Sequence, residues 1–292
     1  MVKFTRPDAW QTGLVEVAGG VFAYIQGGGS AGVSNAGFVL GPDRAIVLDT
    51  LATTPMARDF LSAIRALTDR PIREVLLSHH HVDHILGLQN FMPARIICHY
   101  RCREEILRNG MDLPARWAKA RPQFAEGLVG VRVCVPDWTF SDKITLHLGD
   151  RELIFFHPGK PAHTVGDAML YLPDSKVLFA GDILFHGVVP AGFQGHIGKW
   201  IEVLNGVLAM DVSVIVPGHG PVCTKAEVAE TLSCLNLIYE GARRAFHNSL
   251  SPEEACAALD LGPFAHWADA KERTMQNISR AYQEFRGELD TL

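Results

Sequence analysis

The sequence predicts an α+β chain: two β-sheets packed face to face, with helices on their outer surfaces and more helices at the C-terminus. A strands-then-helix order occurs twice, once before residue 100 and again between residues 144 and 222. From residue 223 onward the apolar spacing is helical. No linker divides the 292 residues, and 48% of them are hydrophobic, enough for one substantial core. The expected organisation is one domain over 1–292, with a core at 15–222, an inserted lid-like segment at 100–140 and a helical extension at 223–292.

Each element has a local reason. VFAYIQ (21–26) reads as a strand, and FVLG (38–41) with AIVLDT (45–50) reads as a hairpin turning at Gly41-Pro42-Asp43. Between them, QGGGSAGVSNAG (26–37) reads as a plain turn, since no GxxxxGK[ST] follows its glycines. Residues 54–67 carry apolar side chains at helical spacing, capped by Thr53 or Thr54 with Pro55 in the first turn. REVLLS (73–78) is a strand ending where histidines begin, 84–92 is helical again, and RIICH (95–99) is a buried strand. Residues 100–140 change texture: a helix at 101–109, then prolines, tryptophans and basic residues. They read as a lid or wall over a pocket, the alternative being a packed surface excursion. Hairpins follow at 144–157 and 168–180, then a helix at 197–210, a strand at 212–216 and helices at 225–246, 252–260 and 264–288.

Composition excludes some classes. Net charge is −5, whereas nucleic-acid binders usually present a basic face or stripe. The arginines between Arg95 and Arg121 are interrupted by acidic residues and read as a solvated helix face. No window approaches the roughly 18 consecutive apolar residues of a membrane span. The opening MVKFTRPDAWQTGLVEV lacks the apolar core of a signal peptide. The expectation is a cytoplasmic protein acting on a small molecule, with no nucleic-acid or membrane partner. Oligomeric state is open, a homodimer included. Six scattered cysteines without paired zinc-finger spacing read as free thiols.

The chemistry lies in SHHHVDHILG (78–87), which crowds four histidines and an aspartate onto the loop leaving a strand. Neutral imidazole, carboxylate and thiolate are the side chains that bind divalent transition metals well. Alternate residues of an extended loop point the same way, so His79 and His81 can grip one ion, and Asp83 and His84 a second. Three distant segments supply the rest, each at or after a strand: His163 in HPGKPAHTVGD, Asp182 in VLFAGD and His219 in VPGHG. His163 completes the first ion's set, His219 the second's, and Asp182 can bridge them around a shared hydroxide, as in two-metal sites. His80 is expected to point away. His99, His147, His157, His247 and His266 have no supporting pattern and read as structural or exposed.

HHHVDH, HPGKPAHTVGD, VLFAGD and VPGHG, in that order and spacing, resemble the metallo-β-lactamase superfamily over residues 15 to about 222. The resemblance implies a four-layer αββα sandwich with two metals at one edge between the sheets. It implies that His79, His81 and His163 hold one ion, that Asp83, His84 and His219 hold the other, and that Asp182 bridges. Asp49, in AIVLDT, matches an aspartate that supports the site from behind. Leu88 stands where the family usually has a second glycine, a minor departure. The implied cofactors are two divalent ions, zinc first, with iron or manganese as alternatives.

The presence of Asp182 is more like the glyoxalase II, lactonase and esterase branches than the true β-lactamases, although the C-terminal helices show no obvious basic cluster for glutathione carboxylates. The expected activity is hydrolysis of an ester, lactone, thioester or amide. A metal-bound hydroxide attacks the carbonyl while one ion stabilises the oxyanion. Asp83 serves as the catalytic carboxylate that orients the nucleophile and shuttles a proton. Substrate contacts are expected from Phe185, His186, Phe193 and His196, with Trp117, Phe124 and Trp138 as the opposite wall, favouring a fairly apolar acyl compound. A mononuclear iron persulfide dioxygenase-like oxidoreductase is the alternative from another class. A β-lactamase, or a phosphodiesterase or nuclease, is a further one. A non-catalytic binding module is disfavoured because no ligand position is missing.

Overall fold

The computed structural model describes residues 12–28 and 31–289. Most of the opening stretch and two residues of the glycine-rich turn, Gly29 and Ser30, lie outside them.

Among the described residues two sheets form. In the first, β1 (Gly13–Ala18), β2 (Val21–Ile25), β3 (Ala36–Leu40) and β4 (Ala45–Leu48) run antiparallel in sequence order. Then β5 (Ile72–Leu77), β6 (Arg95–His99) and β7 (Trp138–Phe140) add on in parallel. The second sheet holds β8 (Lys143–Leu148), β9 (Arg151–Phe156), β10 (Met169–Leu172), β11 (Val177–Phe185) and β12 (Val214–His219). Its pairs are antiparallel except β11 with β12, in the order β12-β11-β10-β9-β8. The helices are α1 (Thr54–Leu67), α2 (Val82–Ile85), α3 (Tyr100–Asn109), α4 (Leu113–Ala120), α5 (Ile197–Ala209), α6 (Lys225–His247), α7 (Pro252–Ala258) and α8 (Ala270–Phe285).

Period-two alternation builds the layers. In β3 to β6, Val39, Ile46, Leu48, Leu76 and Ile97 face the second sheet and meet Leu153, Phe155, Leu170 and Phe179. Their neighbours Phe38, Val47, Val75 and Leu77 face outward onto Phe60 and Ile64 of α1. Both faces are therefore apolar and the strands read as continuous hydrophobic runs. On the far side Leu178 and Ala180 of β11 pack under Trp200 and Leu204 of α5. Burial of each such Leu, Ile or Phe side chain contributes about 1.5–3 kcal/mol. The result is the α/β/β/α layering expected from the sequence, with α6, α7 and α8 packed together around Cys234, Ile238 and Tyr282. All six cysteines are free thiols, and among the described residues no helix is long and apolar enough to cross a membrane.

Several boundaries differ from the sequence reading in ways that matter for the site. The strand expected to end at residue 180 continues to Phe185, with register shifts on either side of Gly181, so Asp182 sits inside β11 and not after it. Likewise β12 runs through the PGH of VPGHG to His219. The helical reading of 84–92 resolves into the short α2 and a 3-10 turn at Leu88–Phe91. Leu88 is fully buried in the outer core of the first sheet. The segment after α3 contains α4, which the reading missed, and returns to the first sheet through β7.

Candidate metal centre

The two sheets bring their strand ends to one edge. His79 follows β5, and His81 precedes α2, whose first turn carries Asp83 and His84. His163 lies on the β9–β10 connection, Asp182 in β11 and His219 at the end of β12. The structure brings these residues together in two groups, His79 with His81, His163 and Asp182, and Asp83 with His84 and His219. Within each group the candidate ligand atoms all lie within 4.8 Å of one another.

The separations suit ions. Ligand atoms about 2.0–2.1 Å from a tetrahedral zinc lie about 3.4 Å apart along the tetrahedron's edges. Asp182 Oδ2 is 3.3 Å from His163 Nε2 and 3.4 Å from His219 Nε2, and Asp182 Oδ1 is 3.1 Å from His84 Nε2. Asp83 Oδ2 is 3.5 Å from His219 Nε2. Asp182 thus reaches residues of both groups, as a bridging carboxylate must. Nε2 of the buried His79, 3.8 Å from Asp182, has no hydrogen-bond partner, an orphan that a metal ion would satisfy.

Protonation fits directly for three of the rings. Burial pushes His79 and His163 well below the usual imidazole range, with neighbouring imidazoles adding to the effect, and burial also lowers His81. These rings are neutral near pH 7, the state in which imidazole ligates. For His84 burial works against charge, but the Asp182 and Asp49 carboxylates hold its proton well above that range. Burial opposes ionisation of Asp182, yet His219, His84, His163 and His79 keep its carboxyl well below the carboxylate range.

A second layer fixes the ligand rings. Asp49, held at a left-handed φ of 58°, accepts from Ser78 N at 2.8 Å and from Ser78 Oγ at 2.6 Å, and contacts His84 Nδ1 at 2.8 Å. Gln194 Oε1 lies 2.7 Å from His81 Nε2 and 3.0 Å from His80 Nε2. His81 Nδ1 is left facing His163 Nε2 at 2.8 Å. Gly32 N donates to Asp83 Oδ2 at 3.2 Å. Gly32 has φ +91°, and a Cβ there would come within 2.7 Å of Phe124. Gly218 admits Asp182 in the same way, since its Cβ would sit 1.8 Å from Asp182 Oδ1.

Beside the ligands lies a cavity of about 270 Å³. Phe193 and Trp117, two of the residues read from the sequence as substrate contacts, line it. Phe193 is 50% exposed and stacks on His81 with centroids 4.9 Å apart. Phe124 stacks behind Trp117 at 4.8 Å, one layer back from the cavity. The other substrate candidates are placed elsewhere. Phe185 is fully buried and stacks at 5.0 Å on His219, behind the ligands, because β11 continues through it. His186 approaches Pro221 O at 3.1 Å through Nδ1. His196 caps α5 and pairs with Glu284 at 3.3 Å. Trp138 belongs to β7 and is 49% exposed under the Arg95 guanidinium.

Other cavity residues escaped the sequence reading: Gln194, Asn109 and Leu113, and two arginines, Arg121 and Arg273. Arg273, Asn277 and Arg280 occupy one face of α8 at i, i+4 and i+7. They donate to Val189 O at 2.9 Å, Pro190 O at 2.9 Å and Gly195 O at 2.5 Å. The C-terminal extension therefore holds the loop that carries Phe193 and Gln194. Helical spacing alone signals such a face, but not its partner.

Comparison with known proteins agrees with this geometry. A model of the metallo-β-lactamase superfamily matches residues 29–219. A linear primary-alkylsulfatase from Pseudomonas sp. is 23% identical over 262 residues, covering 76% of this chain and 49% of the relative. The acyl-coenzyme A thioesterase MBLAC2 from Bos taurus is 25% identical over 209 residues, covering 64% of this chain and 72% of the relative. Among solved structures, the stereoselective inverting sec-alkylsulfatase Pisa1 from Pseudomonas sp. superposes with a TM-score of 0.73 at 17% identity. That match covers 96% of this chain and 51% of the other. The chain thus spans about half the length of both alkylsulfatases.

Proposed function

The chain belongs to the metallo-β-lactamase superfamily, and from that premise we propose a two-metal hydrolase that cleaves an ester, lactone, thioester or amide bond of a small, largely apolar compound. The observation that carries this reading is the convergence of two complete ligand groups sharing Asp182. Imidazole and carboxylate donors suit zinc, iron and manganese alike, and zinc is the ion proposed here. When bound, two such ions supply a Lewis acid for the scissile carbonyl and lower the pKa of a bound water from near 16 to about 7.

The chain's own side chains do the rest. Asp83 Oδ2 is occupied by the Gly32 N–H, which leaves the carboxylate fixed in orientation to take up a proton and return it to the leaving group. Phe193 and Trp117 present flat apolar walls to an acyl group and exclude water from one side of the carbonyl. The cavity of about 270 Å³ lies at the small end of ligand pockets, which suits a compact acyl compound. The similarity to a thioesterase supports a carbonyl substrate.

The test is a panel of lactones, aryl esters, acyl thioesters, β-lactams and alkyl sulfates against metal-replete protein. Hydrolysis of carbonyl substrates, cut by orders of magnitude in His81→Ala and Asp182→Ala with an unchanged circular dichroism spectrum, is expected. Turnover of alkyl sulfates alone, undiminished turnover in both variants, or a single iron with oxygen consumption contradicts the proposal.

A further inference from the structure

Two arginines line the cavity from elements that carry no metal ligand. Arg273 comes from the first turn of α8 and is only 3% exposed, yet it lines the cavity. It contacts Asp269 through Nη2 at 3.0 Å, donates to Val189 O through Nη1 and lies 5.3 Å over the Phe185 ring. Arg121 follows α4 and reaches Glu272, the neighbour of Arg273, at 3.5 Å. Among the described residues the carboxylates lining this cavity are Asp83 and Asp182, and both are metal-ligand candidates.

That inventory gives the cavity a sign. Arginine stays charged under all ordinary conditions. Burial works against the Arg273 charge, with Asp269, Asp182 and Asp83 working for it. Two divalent ions carry more positive charge than the two carboxylates that ligate them, so a loaded site withdraws Asp182 and Asp83 from Arg273. A buried cation then keeps Asp269 as its main counter-charge, in a cavity whose remaining field is positive. Buried charges of this kind are costly unless paired. An anion entering the cavity restores the balance, and a guanidinium fork matches a carboxylate, sulfate or phosphate oxygen pair.

We infer that the substrate is an amphiphilic anion, its apolar part against Leu113, Trp117 and Phe193 and its anionic group held by Arg273 and Arg121. This rests on the hydrolase reading above and adds the substrate class to it. The first-turn arginine of α8 then has two tasks, holding Val189 O and recognising charge. Arg121 supplies the second cation at the mouth, where Glu272 keeps it until an anion competes.

The experiment compares matched esters on zinc-loaded protein. One pair is 4-nitrophenyl hexanoate against the mono-4-nitrophenyl ester of adipic acid. The other is 4-nitrophenyl hexanoate against its 3-carboxy-4-nitrophenyl counterpart, which places the anion on the leaving group. At least one anionic ester should exceed its neutral partner about tenfold in kcat/KM, and Arg121→Gln and Arg273→Lys should each reduce that ratio severalfold, mainly through KM. Equal rates in both pairs, or ratios unchanged in both variants, would overturn the inference. Calorimetric binding of hexanoate to the zinc-loaded protein and to the Arg121→Gln protein decides the matter without turnover. About tenfold weaker binding in the variant supports the anion site, and equal binding refutes it, even where no ester is cleaved and the hydrolase reading itself fails. Arg121 is at the surface, so this arm does not depend on the folding of an Arg273 variant.

Discussion

Asp49 Oδ2 and His84 Nδ1 lie 2.8 Å apart, while His84 Nε2 faces Asp182 Oδ1 at 3.1 Å. The carboxylate accepts from the Nδ1–H and so aims Nε2 at Asp182, where an ion would displace the proton that the two carboxylates hold on the ring. Groups that orient metal-binding imidazoles are typically worth 10–100-fold in metal affinity. Asp49→Ala is therefore expected to weaken zinc binding about 10–100-fold, measured by competition with a chromophoric chelator. Unchanged affinity in the variant would show that Asp49 merely packs.

The same logic applies to Gln194 on the other side. Its Oε1 accepts from His81 Nε2 at 2.7 Å, which leaves His81 Nδ1 as the ligating atom. Gln194→Leu removes the acceptor at similar volume and should weaken the first zinc about tenfold, and Gln194→Glu should retain it. Equal affinity in Gln194→Leu and the unaltered protein would remove this residue from the account.

How much of this was legible beforehand follows from where each signal lies. The seven candidate ligands stand in four motifs at or after predicted strands, and that position together with the family resemblance singled them out; the structure brings them together. The α1 boundaries at 54–67 were equally plain, because Thr53 caps the helix and Pro55 opens it. The aromatic candidates were weaker, since an aromatic residue near a motif serves packing as readily as contact. Phe185 is the last residue of an unforeseen strand extension, and Trp138 sits on a β7 strand of three residues, too short for alternation to show. Gln194, Arg121 and Arg273 were missed because their partners lie far along the chain. Arg273 contacts Val189 across 84 positions, and no local periodicity encodes that pairing.

The glycine-rich turn gains a task that its sequence did not announce. Gly32 has φ +91°, and any Cβ there would come within 2.7 Å of Phe124 and 2.9 Å of Trp117. Gly32→Ala pushes the backbone away from Asp83 Oδ2 and strains a left-handed residue by about 1–2 kcal/mol. Turnover should fall about tenfold with a modest loss of melting temperature. Full activity in this variant would mean that the Gly32 N–H does not matter to Asp83.

Away from the metal groups, His99 stacks on His157 with centroids 4.2 Å apart. Burial, helped by the His157 charge, pushes His99 down to about 4. The unfolded chain binds that proton near 6.5, so between about pH 6.5 and 4 the unfolded state holds more protons. This part of the stability is present above pH 6.5 and lost as pH falls toward 4. In His99→Gln the decline of melting temperature with acid should be shallower over that window, with both proteins held in chelator so that metal loss does not contribute. Parallel pH curves would contradict the assignment.

The central claim is that one edge of the sandwich seats two ions sharing Asp182. Calorimetric titration of chelator-stripped protein with zinc, checked by elemental analysis, tests it most directly. The account predicts two equivalents bound per chain, and in Asp182→Ala weaker binding of both. A single equivalent in the unaltered protein, or two equivalents held by Asp182→Ala with undiminished affinity, would contradict it.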